Sequence, residues 1–130
     1  KLYFYDTGLV CYLTKWSNAE TLEAGAMNGA ILENYVVSEI AKTYLNSGKE
    51  PFMYYYRDKD AKEIDIVLEH DGILNPLEIK KTANPGSELT KVFSLLDKAS
   101  TPRGKGAILC MKPALGAIDK DNYIIPIWMI

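Results

Sequence analysis

Two short segments of alternating charged and apolar residues, Glu63–Leu68 and Leu77–Lys80, constrain the fold of this chain most strongly. Such period-two alternation is typical of a half-buried β-strand. His70, Asp71 and Gly72 lie in the connection, and Asp-Gly favours the two-residue type I′ turn of a hairpin. The sequence therefore predicts an antiparallel hairpin with Asp71 and Gly72 as its loop.

The turn sets the register of the two strands, because the residues that flank it must pair. Counting back from it places Asp65 opposite Glu78 and Glu63 opposite Lys80. The apolar residues then share the other face, which is predicted to be a core face: Ile64, Ile66, Leu68, Leu77 and Ile79. Two carboxylates directly across a ladder repel each other, so a cation between them is expected.

The composition is that of one ordinary globular domain. The 130 residues are 48% hydrophobic and 25% charged, which predicts a single domain over residues 1–130 with a normal core. No apolar run is long enough for a membrane span, and no signal peptide is visible. Cys11 and Cys110 lack a metal spacing, so a reducing compartment, the cytoplasm, is expected. Because the chain begins at Lys1, it is expected to be a fragment of a longer protein.

The charges are unevenly distributed along the chain. The formal net charge is -2, yet residues 80–105 hold six basic residues and only two acidic ones. This basic segment has two interpretations. It is the solvated face of a helix, or it is a rim that contacts phosphates through Lys81, Lys91, Arg103 and Lys105.

The pattern along the chain predicts an order of elements. We expect a short strand at 2–5, a short helix capped by Asp6, an irregular connection at 17–27 and a helix at 28–45. Strands follow at 52–57, 62–69 and 73–80, then a helix capped by Ser87, then strands at 106–111 and 123–129. Pro76 is expected opposite Val67 in a pair without hydrogen bonds to the second strand, and Pro126 favours an edge position for the last strand.

Several kinds of site are excluded. His70 is the only histidine, which leaves no zinc motif and no support for a serine or cysteine triad. Neither a phosphate-binding P-loop nor a Rossmann fingerprint is present, so no nucleotide cofactor is expected within this chain.

The hairpin carries the residue types that phosphodiester hydrolysis requires. Asp65 and Glu78 offer hard oxygen ligands suited to Mg²⁺, and Lys80 points to the same face. Glu33, on the first turns of the long helix, supplies a further carboxylate. A metal, a positioned water and a cation form such a hydrolytic site. The competing interpretation is an ordinary solvent-facing sheet surface, on which a Glu63–Lys80 ion pair contributes little energy.

The order of Glu33 on a helix, Asp65 on a strand and then Glu78-Ile79-Lys80 resembles the PD-(D/E)XK nuclease superfamily. Its restriction-endonuclease-like αβββαβ core, a mixed central sheet flanked by helices, corresponds to residues 28–111. A longer pattern resembles a bacterial and archaeal domain of unknown function found at the C-terminus of AAA-type ATPases. That pattern comprises residues 1–9, Glu33–Val36, Tyr55–Asp60, Glu63–Ile66 and Leu77–Lys80.

The resemblance implies a role for each matching residue. Asp65, Glu78 and the Ile79 carbonyl would bind Mg²⁺ or Mn²⁺, Lys80 would be the catalytic lysine, and Glu33 would assist the metal or its water. It also implies an AAA-type ATPase module that precedes Lys1 in the native chain and a nucleic-acid substrate, DNA or RNA. The alternative is a non-catalytic module that docks DNA or protein for the ATPase. The chain departs from the superfamily pattern at Ile64, where many members have proline.

Overall fold

The computed structural model describes all 130 residues, which form two compact units, Lys1–Lys49 and Glu50–Ile130. The N-terminal unit contains three helices: α1 (Thr7–Leu13), α2 (Ala19–Ala24) and α3 (Asn28–Asn46). The prediction of a strand at residues 2–5 is wrong. The Asn34 side chain on α3 instead binds both the N–H and the carbonyl of Phe4, at 2.7 and 2.9 Å, so a side chain satisfies this backbone in place of a strand.

Polar caps set the starts of the two short helices. Asp6 accepts a hydrogen bond from the Leu9 N–H at 2.9 Å, which confirms the predicted cap of α1. Asn18 accepts one from the Thr21 N–H at 2.8 Å and so begins α2. The prediction of an irregular connection at 17–27 is therefore wrong, because Asn18 is itself a cap signal.

The long helix α3 lies where the sequence places it and ends at Asn46. Val36 and Ile40 of the predicted apolar stripe are buried, whereas Leu32 and Tyr44 are half-buried. The complete buried set also includes two polar residues: Ile31, Asn34, Val36, Val37, Ser38, Ile40 and Ala41.

The C-terminal unit is built on a six-stranded mixed sheet in the order β1-β2-β3-β4-β6-β5. Its strands are β1 (Met53–Arg57), β2 (Glu63–His70), β3 (Ile73–Lys80), β4 (Gly106–Cys110), β5 (Gly116–Ala117) and β6 (Asn122–Pro126). A 3₁₀ helix, η1 (Ser87–Lys98), connects β3 to β4, and a second, η2 (Ile127–Met129), follows β6. Strands β3, β4 and β6 are parallel and the other pairs are antiparallel. The predicted α/β class with a mixed sheet is confirmed.

The β2–β3 hairpin has the predicted turn. Asp71 and Gly72 both have positive φ, 51° and 72°, as a type I′ turn requires. Val67 pairs with Pro76, also as predicted. The Leu74 N–H donates to the Pro102 carbonyl on the far side of β3, and alternate residues point their N–H groups the same way. The missing N–H of Pro76 therefore removes no bond to β2.

A β-bulge interrupts the pairing of β1 with β2. The register shifts between Tyr54 and Tyr56, so one residue of β1, Tyr55, lies opposite two residues of β2, Asp65 and Ile66. A bulge of this kind bends its strand and changes which face the following side chains occupy.

The bulge overturns part of the predicted face assignment. Ile64 packs in one cluster with Val67, and with Phe93 and Leu96 of η1, all of them buried. Ile66 is also buried, but it does not belong to that cluster. The prediction that Ile64 and Ile66 share a face is wrong, because the extra residue reverses the alternation.

The connecting helix η1 has a repeat of three rather than 3.6 residues. Phe93 and Leu96 are buried and Leu89 and Val92 are half-buried, which confirms the predicted inward side. One row of polar residues at every third position is exposed: Glu88, Lys91, Ser94 and Asp97. A 3₁₀ helix aligns residues three apart, so this spacing matches its geometry. Gly86 precedes the helix without a side-chain cap, so the prediction that Ser87 caps it is wrong.

The last strand departs from the predicted edge position. β6 lies between β4 and β5, but its pairing with β5 covers only Tyr123 and Ile124. Pro126 pairs with Cys110 of β4 beyond the reach of β5. The proline thus still has an open side, because the covering strand is only two residues long. No helix in the chain is long and apolar enough to cross a bilayer.

A close approach at Gly106 generates the first prediction. A Cβ at Gly106 would lie 2.6 Å from Asn122 Oδ1 and 2.7 Å from the Phe93 ring, whereas one at Gly116 would meet nothing closer than 3.6 Å. We expect Gly106→Ala to lower the free energy of unfolding by about 1–3 kcal/mol and Gly116→Ala to change it by under about 0.5 kcal/mol. Urea denaturation measures both; equal effects would contradict the packing described here.

A charged network at the start of β4 generates the second prediction. Lys105 Nζ lies 2.8 Å from Asp121 Oδ1, and Asp119 accepts hydrogen bonds from Asn122 Nδ2. The pKa of Asp121 is lowered, chiefly by its hydrogen bond with Lys105, and the pKa of Asp119 is lowered, chiefly by Asn122. The pKa of Lys105 is raised, chiefly by Asp121. A lowered carboxyl pKa stabilises the fold above its ordinary value of 3.8, and this contribution is lost as the pH falls through the folded value.

Replacement of Asp121 should accordingly lower the free energy of unfolding only at pH values at which its carboxylate is charged. We expect Asp121→Asn to be less stable than wild type at pH 6, with the difference disappearing as the pH falls below 3.8. For Lys105 the sign is opposite, since its stabilisation persists below 10.5 and is lost at higher pH. Urea denaturation across pH, with the exposed Asp60→Asn as control, measures these differences. A difference that grows on acidification would contradict the assignment.

Candidate active site

The candidate site lies where β2 and β3 separate. The ladder between them runs from His70–Ile73 to Ile66–Leu77 and does not continue to the next pair. The Ile79 N–H donates instead to Asp65 Oδ2 at 2.9 Å. The Asp65 side chain thus takes the place of a backbone acceptor, and the bulge in β2 directs it there.

Glu78 and Lys80, at the carboxyl end of β3, flank Ile79, whose N–H binds Asp65 of β2. Asp65 and Glu78 are both buried, with 9% and 7% of their surface exposed. Lys80 Nζ contacts Glu78 Oε1 at 2.8 Å, and the lysine side chain is 43% exposed. A buried carboxylate therefore stands beside a cation that reaches solvent. Asp65, Glu78 and Lys80 lie on adjoining strands, but the ladder ends at Ile66–Leu77, so the predicted pairing of Asp65 with Glu78 is not part of the sheet.

The donor set fits a hard divalent cation. Asp65 and Glu78 provide carboxylate oxygens, and the Ile79 carbonyl points to the same side as its N–H, toward Asp65. Mg²⁺ is commonly bound by one or two carboxylates and keeps several waters. No group of three or more histidine, cysteine or acidic side chains is arranged to hold a metal. The residues present thus suit a Mg²⁺ ion with an incomplete protein shell.

A polar pocket opens next to the exposed end of Lys80. This cavity, here called the η1 pocket, has a volume of about 260 Å³. It is lined by the chain that follows β3 and by the first turn of η1: Lys80, Lys81, Thr82, Asn84, Pro85, Gly86, Glu88 and Leu89. Thr82, Asn84 and Glu88 were not predicted as site residues, because nothing in the sequence ties this short connection to the hairpin.

Glu33 lies in the N-terminal unit, on α3. Its Oε1 accepts hydrogen bonds from the Tyr3 hydroxyl at 2.6 Å and from Lys1 Nζ at 2.9 Å. The first residues of the chain therefore hold this carboxylate. Its proposed assistance to a metal stays a prediction.

Glu63 is placed differently from its predicted position. It lies opposite Arg57 of β1, and the two side chains approach to 3.2 Å. Because the β2–β3 ladder ends at Ile66, the predicted pairing of Glu63 with Lys80 is not part of the sheet. That prediction is wrong, since the bulge turns the start of β2 toward β1.

The structure does not bring all the predicted phosphate-binding residues together. Lys81 follows the carboxyl end of β3, whereas Arg103 and Lys105 precede β4, which runs parallel to β3. They therefore lie at opposite edges of the sheet, about 15 Å apart for a strand of this length. Arg103 Nε binds Asp97 at 2.6 Å and Lys105 binds Asp121 at 2.8 Å. Lys91 stands in the exposed row of η1.

Fold and site together define an α/β domain with an acidic pair and a lysine at the divergence of two strands. A family model described as a domain of unknown function (DUF4143) matches residues 28–130. The chain belongs to this family. The match covers α3, the whole sheet and both 3₁₀ helices, and hence every residue of the candidate site.

Two relatives are similar over much of the chain. They are the uncharacterized proteins Rv2008c of Mycobacterium tuberculosis and Mb2031c of Mycobacterium bovis, each 29% identical over 97 residues. The aligned region is 75% of this chain but 21% of each relative, so the chain spans about a fifth of their length. No solved structure matches the chain.

The hydrogen bond between Asp65 and Ile79 generates the third prediction. Asp65→Ala leaves the Ile79 N–H without this acceptor, whereas Asp65→Asn keeps an oxygen in the same place. We expect the alanine variant to lose about 1–3 kcal/mol of stability and the asparagine variant less than half of that. Urea denaturation measures both, with the exposed Asp60→Ala as control. Equal losses for the two Asp65 variants would show that the bond does not hold the strands.

Proposed function

We propose that this chain is a Mg²⁺-dependent nuclease-like domain of the PD-(D/E)XK class, which hydrolyses phosphodiester bonds and is attached to an AAA-type ATPase module. The observation that carries the proposal is the buried Asp65–Glu78 pair with the Lys80 ammonium 2.8 Å from Glu78. Two buried carboxylates on neighbouring strands carry more negative charge than the one Lys80 ammonium offsets, which favours a further cation. A metal ion held by Asp65 and Glu78 next to Lys80 would serve phosphodiester hydrolysis.

Each residue has a defined task in the proposed reaction. Asp65 and Glu78, with the Ile79 carbonyl, would hold the ion, and the Ile79 N–H keeps the Asp65 carboxylate in one orientation. A bound Mg²⁺ or Mn²⁺ polarises the phosphoryl group and lowers the pKa of its water. Lys80 orients the attacking water and offsets the negative charge that develops on the phosphate.

A non-catalytic docking module for DNA or protein is the second candidate. It is favoured by the apolar surface of the N-terminal unit, where α1 buries none of its residues. The exposed apolar side chains there are Leu2, Phe4, Tyr5, Leu9, Tyr12 and Leu13. Several large apolar side chains exposed on one short stretch of chain favour an interaction site.

Metal-dependent cleavage tests the nuclease proposal. We expect the full-length protein to cleave DNA with Mg²⁺ or Mn²⁺, and Glu78→Ala and Lys80→Ala each to reduce the rate about a hundredfold or more. Plasmid and single-stranded DNA, followed on gels, provide the measurement. Lys59→Ala and Glu50→Gln, both at exposed positions of the same unit, serve as matched controls and should retain full activity.

Two outcomes would contradict the proposal. Cleavage that survives both substitutions would originate elsewhere, in a contaminant or in another part of the protein. Absence of cleavage, together with calorimetry that detects no Mg²⁺ binding, would favour the docking module.

A further inference from the structure

The η1 pocket has a lining that a phosphate site would not have. Alongside Lys80 and Lys81 it contains a carboxylate, Glu88, and an amide, Asn84. A carboxylate repels a phosphate but accepts hydrogen bonds from N–H and O–H groups. Pro85 and Leu89 add apolar surface to the wall. The pocket therefore suits a neutral group with hydrogen-bond donors on its edge and apolar faces.

The position of Glu88 depends on the absence of a side chain at Gly86. A Cβ at Gly86 would overlap both carboxylate oxygens of Glu88. Glu88 also differs from the other members of its exposed row, since Lys91, Ser94 and Asp97 do not line the pocket. Gly86 thus allows the carboxylate to fold back to the pocket wall.

The loop that forms the pocket is held by backbone bonds. The Thr82 N–H donates to the Lys80 carbonyl at 2.9 Å, and the Met111 N–H donates to the Thr82 carbonyl at 2.8 Å. The Asn84 N–H donates to Thr82 Oγ1 at 3.1 Å. These bonds attach the loop to the end of β4, so the pocket is formed before any ligand arrives.

We propose that the η1 pocket seats one unpaired nucleoside next to the scissile phosphate, with Glu88 accepting a hydrogen bond from it, so that the substrate is a single strand or an unpaired end. This inference rests on the nuclease function proposed above. Lys80 belongs to both the candidate active site and the pocket, and so places the nucleoside beside the reacting phosphate. Ribose hydroxyls and base edges supply the donors, and the pairing edge of a base becomes accessible when its nucleotide leaves the duplex stack.

The distribution of basic residues also favours a single strand. Arg103 and Lys105, at the far edge of the sheet, are paired with Asp97 and Asp121. Binding to a duplex gains most of its affinity from many phosphate contacts along a continuous basic surface. The basic residues that line the η1 pocket are Lys80 and Lys81, and they stand beside Glu88 and Asn84 rather than in a continuous basic surface.

Fluorescence anisotropy tests the inference without cleavage. The full-length protein, with Ca²⁺ in place of Mg²⁺, is titrated against a labelled 12-nucleotide single strand and its duplex. We expect the single strand to bind about tenfold more tightly than the duplex, and Glu88→Gln to remove most of that preference. Gly86→Ala should do the same because it displaces the carboxylate while preserving its charge, and circular dichroism verifies that both variants fold.

The sign of the Glu88 effect distinguishes recognition from repulsion. Removal of a negative charge that merely repels nucleic acid tightens binding of single strand and duplex alike, and that result would overturn the inference. Glu50→Gln, the same change at an exposed position, measures the general charge effect. If Glu88→Gln weakens binding of an RNA strand but not of a DNA strand, the 2′-hydroxyl is the donor. If Glu88→Gln no longer weakens binding once the strand carries an abasic nucleotide, the base is the donor. Metal-dependent cleavage with no strand preference would leave the nuclease proposal intact and refute this one.

Discussion

The hydrogen bond from the Ile79 N–H to Asp65 determines the arrangement of the candidate site. In a regular ladder the Ile79 N–H would donate to a backbone carbonyl of β2, and the two strands would remain paired along their whole length. The bulge opposite Tyr55 instead brings a carboxylate to the N–H, so the strands separate without leaving that N–H unsatisfied. An unsatisfied buried N–H costs about as much as a lost hydrogen bond. The opening of the sheet is therefore stable because a side chain replaces the backbone.

Much of the C-terminal unit could be predicted from local chemistry. The Asp71-Gly72 turn and the pairing of Pro76 with Val67 follow from dihedral preference and strand alternation. The bulge was missed because the alternation in Glu63–Ile66 reads as a regular strand. The one sequence feature that indicates the bulge is the adjacent apolar pair Ile66-Val67. Such a pair is equally typical of a strand buried on both faces.

The positions of the basic residues illustrate a second limit on what can be predicted from the sequence. Lys80 and Lys105 lie within one basic segment of the chain, and an isolated helix would present such residues on one surface. Strands β3 and β4 are parallel, so the end of one and the start of the next lie at opposite edges of the sheet. Topology thus divides a charge cluster that is continuous in sequence. Only the residues just after β3 remain next to the acidic pair, while Lys105 serves to hold Asp121.

The helix η1 connects these two edges of the sheet, and its three-residue repeat determines which side chains lie at each edge. Twelve residues in 3₁₀ geometry extend about 24 Å, against about 18 Å for an α-helix. The 3₁₀ form also keeps positions three apart in line, so the polar row stays exposed while the apolar rows cover the sheet. That row begins at Glu88 in the η1 pocket and ends at Asp97, which binds Arg103 at the start of β4. In an α-helix the same residues would spiral around the axis, and with Glu88 at the pocket the later members would turn toward the sheet. The period-three pattern therefore fixes the connection and places a carboxylate beside Lys80 at the same time.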